Sequence, residues 1–208
     1  MASWRADPQF IYERYCWQSA HTFIQDHFDT RTLAAFESCA VPAMQCDVFR
    51  LCWLFEHGGA YVDADQGNRG RNDAFTDRTS RGHLFRSPRP LPSNAAAAGS
   101  PLFRDAQAGV ITNSVMSFFS PDDPLVGMLL ARVSANIERR IDMGIWHVTG
   151  PGVLCGLLAE LGPKHELFEN VRIHSSNELR RAFKFVKCDY KSSTKHWRNV
   201  NSVYRSVR

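Results

Sequence analysis

The chain has 208 residues, a hydrophobic fraction of 44%, a charged fraction of 22% and a formal net charge of +4. This composition excludes a largely disordered or fibrous protein, and the length suits a single domain over residues 1–208. The longest uncharged stretches are too short and too polar to span a membrane, and the N-terminus lacks a signal-peptide pattern. We therefore expect a cytoplasmic protein.

The cysteines and the charge distribution narrow the class further. Six cysteines are scattered without a CxxC pair, which favours free thiols over disulfides or a cysteine-ligated zinc site. The C-terminal segment 180–208 contains nine Lys or Arg residues against one Asp, so it carries a charge of about +8. Such a segment suits a phosphate-bearing ligand or an anionic membrane surface, and it is equally typical of a solvated helix face.

The first third of the chain is predicted to be mostly helical. Aromatic and polar residues over residues 10–36 have helix-like spacing and predict two short helices, the second opening at Asp29. Apolar residues recur at helical spacing over residues 43–57, and the glycine pair that follows predicts the end of this helix. Residues 60–62 then predict a short buried strand.

The rest of the chain alternates between strands and helices. Residues 67–108 are rich in Gly, Arg, Pro, Ser and Ala, and they predict a long irregular excursion with a strand or two. The later predicted elements are strands near residues 83–85, 109–119 and 171–174 and helices that begin after residues 121–124 and at residues 149–152. This alternation predicts an α/β fold.

The strongest functional signal is the sequence Gly-Gly-Ala-Tyr-Val-Asp-Ala-Asp at residues 58–65. Asp63 and Asp65 are two residues apart, so on an extended segment at a strand end both carboxylates point the same way. Oxygen ligands of this kind suit Mg²⁺ or Mn²⁺, which keeps positions open for substrate phosphates. The triplet by itself is equally compatible with a solvated turn.

A charged pair precedes this motif. Asp47 and Arg50 are three residues apart on one face of the predicted helix, and that face ends at the same turn. The pair is suited to binding sugar hydroxyls, or it forms a surface ion pair worth under about 1 kcal/mol. Further polar pieces follow in order along the chain, namely Asn113, Thr149-Gly150-Pro151 and His196-Trp197.

The order and spacing of these pieces resemble the DxD-containing glycosyltransferases of the Och1 mannosyltransferase and large clostridial toxin type, often called family 32. The resemblance runs from about Ser3 to Trp197, and the helix with the Asp-x-Asp block is its most specific part. It implies a GT-A-like α/β domain in which helices flank a mixed sheet. Family members usually begin with a strand of the type Ile-Pro-Lys-Ile-Ile-His-Gln-Ile-Trp, and we expect this chain to lack it.

The resemblance implies that Asp47, Arg50 and Asn113 contact the sugar of a nucleotide-sugar donor. Tyr61 belongs to the same donor-binding block. The resemblance implies Arg50 as a catalytic residue as well.

A metal site is implied by the same resemblance. Asp65 is expected to ligate Mn²⁺ or Mg²⁺ directly, and Asp63 to bind sugar or ribose hydroxyls and assist the metal, so that both act in catalysis. His196 is expected to make a late metal or phosphate contact, and Trp197 to pack over the diphosphate.

The activity that the resemblance implies is that of a retaining transferase, which moves a hexose from a UDP- or GDP-sugar to a carbohydrate, lipid or protein hydroxyl, as in polysaccharide biosynthesis. A metal stabilises charge on the leaving diphosphate, and Lys191, Lys195 and Arg198 of the basic segment are suited to add to that field. No residue stands out in the sequence as a covalent nucleophile. This favours a front-side displacement in which the leaving phosphate takes the proton of the acceptor.

Two other enzyme and metal-binding classes fit poorly. A haloacid-dehalogenase-like phosphatase also carries Asp-x-Asp after a strand, but glycines interrupt the preceding apolar run, and Gly67 stands where Thr or Val is expected. An EF-hand loop counted from Asp63 needs Glu at position 12, where this chain has Ala74.

The main alternative is a non-catalytic or truncated relative that acts as a binding or regulatory protein. It is motivated by the expected lack of the first strand and by the irregular basic loop over residues 67–89. A nucleic-acid binder would depend only on the basic and aromatic residues of segment 180–208, so we expect no nucleic-acid partner.

Overall fold

A computed structural model describes residues 2–87, 110–141 and 143–187, apart from the side chains of residues 73 and 74. Its helices are α1 (Ala2–Arg5), α2 (Trp17–His27), α3 (Thr30–Ser38), α4 (Pro42–His57), α5 (Asp73–Thr76), α6 (Pro124–Glu138), α7 (Ile145–Val148), α8 (Pro151–Leu161) and α9 (Ser176–Ala182). Its strands are β1 (Gly59–Val62), β2 (Gln66–Asn68), β3 (Gly82–Arg86), β4 (Ile111–Phe118), β5 (Val171–His174) and β6 (Phe183–Phe185). Residues 88–108 of the predicted excursion lie outside the described residues, and so does the sequence from residue 188, which includes His196 and Trp197.

The N-terminal helices begin and end at capping groups that the sequence supplies. The Asp29 carboxylate accepts a hydrogen bond from the Thr32 backbone N–H at 2.8 Å and opens α3. Gly58 ends α4 with a φ of 68°, a left-handed value that glycine adopts without strain. The two short helices and the longer helix predicted in this part of the chain are therefore confirmed.

The later helices follow the same logic. The Asp123 carboxylate accepts hydrogen bonds from the backbone N–H groups of Leu125 and Val126 and begins α6. Helix α8 begins at Pro151, whose missing N–H is tolerated in a first turn, and it ends at Gly162 with a φ of 82°. Both predicted helices are confirmed.

The main sheet has four strands in the order β1-β4-β3-β5. Strand β4 pairs antiparallel with β1 and β3, whereas β3 pairs parallel with β5, so the sheet is mixed. Helices α4 and α8 pack against β4, and α9 packs against β3. The strands predicted near residues 83–85, 109–119 and 171–174 are confirmed, as is an α/β fold in which helices flank a mixed sheet.

Strand β1 lies at an edge of this sheet, and the prediction that residues 60–62 form a buried strand is wrong in that respect. Ala60 is exposed, and Tyr61 and Val62 are only partly buried, because β1 pairs with β4 alone. A short apolar run indicates a strand but not its place in the sheet. Residues 2–58 contain helices and no strand, so β1 is the first strand of the described chain.

A second, two-stranded sheet pairs β2 with β6 antiparallel. It covers a small apolar cluster that consists of Trp4, Phe75, Phe85, Val115, Leu179, Ala182 and Phe183. The larger core lies between the helices and the four-stranded sheet. None of the helices described here has the length and apolar character needed to cross a bilayer.

Candidate functional site

The Asp-x-Asp motif forms a tight turn between β1 and β2. The Asp63 N–H donates to the Ser114 carbonyl oxygen at 2.8 Å, and the Gln66 N–H donates back to the Asp63 carbonyl oxygen at 2.9 Å. On the far side, the Val186 N–H donates to the Asp65 carbonyl oxygen at 2.8 Å. The prediction of an extended segment at Asp63 and Asp65 is therefore wrong. In a turn, residues two apart no longer point the same way as they do in a strand.

The two acidic side chains of this turn differ in exposure. Asp65 is buried, with 5% of its surface exposed, whereas the side chain of Asp63 is 33% exposed. The Tyr61 hydroxyl donates a hydrogen bond to Asp63 Oδ1 at 3.0 Å. Burial raises the pKa of Tyr61 well above its ordinary value, so the hydroxyl stays protonated and continues to donate at neutral pH.

Arg50 connects helix α4 to the Asp-x-Asp turn. Its Nη2 lies 2.8 Å from Asp47 Oδ1 and 3.3 Å from Asp63 Oδ1. Its Nη1 donates to the backbone carbonyl of Asn113 in β4, and its guanidinium carbon lies 4.5 Å from the centre of the Tyr61 ring. Its N–H donors thus join the helix, the inner strand β4 and the turn, while the face of the guanidinium lies against the Tyr61 ring of the edge strand.

This arrangement excludes the surface ion pair that the sequence left open for Asp47 and Arg50. Asp47 is 6% exposed and Arg50 is 3% exposed. Removing one partner of a buried ion pair leaves an uncompensated charge and typically costs about 3–5 kcal/mol. The pair is therefore an internal junction of the fold.

Asp47 is held by residues from separate parts of the chain. Its Oδ1 accepts a hydrogen bond from Asn113 Nδ2 in β4 at 2.8 Å, and its Oδ2 accepts one from the Thr149 hydroxyl between α7 and α8, also at 2.8 Å. Burial raises the pKa of Asp47 to about 6, although Arg50, Thr149 and Asn113 each act to lower it. The ionised carboxylate thus depends on these three partners.

The structure gathers most of the predicted donor-site residues into one contiguous group. We call it the Arg50 cluster, and its members are Asp47, Arg50, Tyr61, Asp63, Asn113 and Thr149. Asp65 lies in the adjoining turn, and His196 and Trp197 fall outside the described residues. The roles of all these residues in donor and metal binding stay predictions.

Three long-range hydrogen bonds were missed by sequence reasoning. Thr149 belongs to the Thr-Gly-Pro sequence, but its partner is 102 residues away and nothing local indicates the contact. The Trp4 indole N–H donates to the Gln66 carbonyl oxygen at 2.7 Å, and the Asn68 backbone N–H donates to Ser3 Oγ at 3.1 Å. The N-terminal segment is thereby attached to β2, directly after the Asp-x-Asp turn.

A small cavity lies between the Arg50 cluster and the core. It has a volume of about 10 Å³, and its lining combines the polar side chains of the cluster with a larger number of apolar side chains, among them Leu51, Met116 and Val153. A cavity of this size holds roughly one water molecule. Contact between a donor sugar and Asp47 or Arg50 therefore requires movement of the surrounding groups.

The acidic side chains of the turn suit a hard divalent cation only in part. Within residues 2–87, 110–141 and 143–187, no group of three or more His, Cys, Asp or Glu side chains is arranged to hold a metal ion. Mg²⁺ is usually bound through one or two carboxylates together with water and substrate phosphate oxygens. Asp63 and Asp65 offer the carboxylate oxygens that such a cation prefers, and their role as its ligands stays a prediction.

Part of the chain matches a known protein family. A family model described as "glycosyltransferase sugar-binding region containing DXD motif" matches residues 4–79. This segment contains the pair Asp47 and Arg50 and the Asp-x-Asp turn, so the resemblance inferred from the sequence is confirmed there. Over residues 4–79 the chain is therefore similar to this sugar-binding region.

The chain is also similar to a solved structure described as "PaToxG Glycosyltransferase". The two share 17% sequence identity with a TM-score of 0.43, and the alignment covers 68% of this chain and 43% of that chain. The chain thus spans less than half the length of that structure. No curated protein sequence matches this chain.

Proposed function

We propose that this protein is a metal-dependent, retaining glycosyltransferase with a GT-A-like fold, which moves a hexose from a nucleotide-diphosphate sugar to an acceptor hydroxyl. The acceptor is a carbohydrate, a lipid or a protein. The observation that carries the proposal is the contact of Arg50 with Asp47, Asp63 and the Asn113 carbonyl beside the Asp-x-Asp turn. The DXD-type family match over residues 4–79 supports the same function.

The sugar-binding part of the proposal rests on the chemistry of the Arg50 cluster. Its guanidinium, carboxylates and amide offer both donors and acceptors, which is what a ring of hydroxyl groups requires. A sugar hydroxyl can replace an existing hydrogen-bond partner of Asp47 or Arg50, so that neither charged group is left unpaired. Asn113 and Tyr61 would complete this subsite.

The diphosphate and the metal are assigned to the neighbouring turn. Asp65 and Asp63 would hold Mn²⁺ or Mg²⁺, with His196 as a further contact from the C-terminal segment. The ion, when bound, supplies Lewis-acid stabilisation of the charge that develops on the leaving diphosphate. Trp197 would pack over the diphosphate, and the basic residues Lys191, Lys195 and Arg198 would add positive charge, or alternatively bind an anionic membrane.

The proposed reaction is a front-side displacement at the anomeric carbon. The acceptor oxygen forms the new bond to this carbon while the bond to the β-phosphate oxygen breaks on the same face. The proton of the acceptor hydroxyl passes to the leaving phosphate oxygen, so no side chain has to form a covalent intermediate. The products are the glycosylated acceptor and a nucleoside diphosphate, with the anomeric configuration retained.

A thermal-shift panel tests the donor site directly. UDP- and GDP-hexoses are each added with Mn²⁺ or with EDTA, to the wild type, Asp65→Asn and the exposed control Asp26→Asn. A donor at 100 times its Kd adds about 2.7 kcal/mol, or about 5–10 °C at this chain length. We expect a Mn²⁺-dependent shift for one nucleotide class, retained in Asp26→Asn and lost in Asp65→Asn. A cooperative melt that no donor moves would contradict the proposal.

A non-catalytic binding or regulatory protein is the second candidate. The observation in its favour is the burial of Asp47 and Arg50, which are 6% and 3% exposed and which a donor sugar would have to reach. Such a protein would show the thermal shift without turnover. Release of nucleoside diphosphate from the stabilising donor, with the anomer of the released or transferred sugar followed by NMR, separates the two candidates.

A further inference from the structure

Thr149 holds the Asp47 carboxylate from the side opposite to Arg50. The Thr149 hydroxyl donates to Asp47 Oδ2 at 2.8 Å, while Arg50 Nη2 lies 2.8 Å from Asp47 Oδ1. A carboxylate that is bonded at both oxygens has its plane fixed, and the orientation of Arg50 follows from that plane. Thr149 is 2% exposed, so this hydrogen bond is shielded from solvent.

The turn that carries Thr149 is itself closely packed. The backbone N–H groups of Thr149 and Gly150 donate to the Ile145 carbonyl oxygen at 3.0 and 2.9 Å. Gly152 lies directly against the Trp146 ring, where a Cβ atom would come within 2.4 Å of Trp146 Cε3. The hydroxyl of Thr149 is therefore presented by a hydrogen-bonded and closely packed turn.

We propose that Thr149 is a positioning residue for the donor sugar, which acts through Asp47 and has no contact of its own with the donor. Its hydroxyl holds Asp47 in the orientation in which the carboxylate binds sugar hydroxyls. Through Asp47 it also fixes the orientation of the Arg50 guanidinium. This inference rests on the proposed function. It assigns a role to the Thr-Gly-Pro turn, which is separated from the Asp-x-Asp motif by more than 80 residues of sequence.

A positioning role and a purely structural role of Thr149 predict different effects on the binding of the two parts of the donor, the sugar and the diphosphate. The Arg50 cluster is assigned to the sugar, whereas the Asp-x-Asp turn is assigned to the diphosphate. Loss of the Thr149 hydroxyl should therefore weaken the binding of a nucleotide sugar and leave the binding of the bare nucleoside diphosphate unchanged. A general loss of structure would weaken both.

The test compares Thr149→Val, which removes the hydroxyl at nearly constant shape, with Thr149→Ser, which keeps it. Titration calorimetry with Mn²⁺ uses UDP-glucose against UDP, or GDP-mannose against GDP, according to which pair stabilises the wild type. We expect Thr149→Val to lose about tenfold or more in affinity for the nucleotide sugar and less than about twofold for the diphosphate. Thr149→Ser should stay within about threefold of the wild type for both ligands. If Thr149→Val does not fold, Thr149→Ala serves, since it removes the hydroxyl without adding an apolar group.

A second readout needs no donor. Folding stability should fall as the pH rises through the folded pKa of Asp47, because the folded protein then loses a proton that burial had kept on this carboxyl. The hydrogen bond from Thr149 lowers this pKa, so its loss should move the Asp47-dependent step in stability toward higher pH. The other groups that act on this carboxylate are Arg50, Asp63 and Asn113, and they are the same in all variants. We expect the step to move in Thr149→Val and to stay in place in Thr149→Ser.

The possible outcomes separate the inference from the function on which it rests. A step that does not move in Thr149→Val, an equal loss for sugar and diphosphate, or a Thr149→Ser variant as weak as Thr149→Val would overturn the positioning role. A wild type that no donor stabilises overturns the proposed function and the role of Thr149 with it. A sugar-specific loss that serine rescues supports the inference.

Discussion

The indole nitrogen of Trp4 and the carbonyl oxygen of Gln66 are joined by a hydrogen bond of 2.7 Å that is buried from solvent. This bond attaches helix α1 to strand β2, directly after the Asp-x-Asp turn. On its other edge β2 pairs with β6, and the Val186 N–H that follows β6 donates to the Asp65 carbonyl. The turn is thus held by segments from both ends of the described chain.

Trp4→Phe is expected to lower the free energy of unfolding by about 1–3 kcal/mol, because it leaves the buried Gln66 carbonyl without its donor. The aromatic contacts of Trp4 with Phe75 and Phe183 are largely kept by phenylalanine. Urea denaturation of both proteins measures the difference. Trp17→Phe is the matched control, since Trp17 is 42% exposed, and it should change stability by less than about 0.5 kcal/mol. Equal stability of Trp4→Phe and the wild type would show that the bond is dispensable.

Gly152→Ala and Gly156→Ala in helix α8 should have opposite effects. A Cβ atom at Gly152 would lie 2.4 Å from the Trp146 ring, and overpacking of this kind costs about 1–3 kcal/mol. A Cβ atom at Gly156 would meet no neighbouring heavy atom of the described residues within 4 Å, so alanine should stabilise the helix by about 0.5–1 kcal/mol. Thermal melts of the two variants provide the measurement. Similar changes in both would mean that Trp146 moves freely away from Gly152.

Asp47 should make the protein less stable as the pH rises from about 4 to about 6. Its pKa is raised to about 6 in the folded state by burial, so the folded protein binds a proton that the unfolded chain has released. Stability from this group is therefore complete below about pH 4 and is lost as the pH passes the folded pKa, by about 3 kcal/mol in total. Denaturant unfolding of the wild type and Asp47→Asn between pH 4 and pH 7 gives the difference. Asparagine does not titrate, so parallel pH profiles would refute the prediction.

Glu178 should contribute stability that disappears in acid. Its pKa is lowered to about 2, chiefly because the Ser175 N–H and hydroxyl donate to its carboxylate at 2.7 and 2.8 Å. The stabilisation is complete above the ordinary pKa near 4.5 and is lost as the pH falls toward the folded value. Glu178→Gln should therefore be less stable than the wild type at pH 6, and the gap should narrow toward pH 3. The exposed control Glu169→Gln should follow the wild type at both pH values, and a gap that stays constant for Glu178→Gln would argue against this assignment.

Much of the local structure was predictable because local chemistry decides it. Asp29 and Asp123 cap helices, and Gly58 and Gly162 end them, through groups that lie within a few residues of each boundary. The three-residue spacing of Asp47 and Arg50 sets them on one helix face whatever the rest of the chain does. The family pattern in residues 4–79 was predictable for the same reason, since it depends on residue order along the chain.

Only the tertiary structure decided which of these residues meet and how deeply they lie. The sequence did not distinguish a surface ion pair at Asp47 and Arg50 from the buried junction that β4 and the Thr149 turn complete. Nor did it show that β1 is an edge strand or that the Asp-x-Asp motif turns. Burial and pairing depend on segments far apart in the chain, as the 102 residues between Asp47 and Thr149 illustrate, and no local pattern records them.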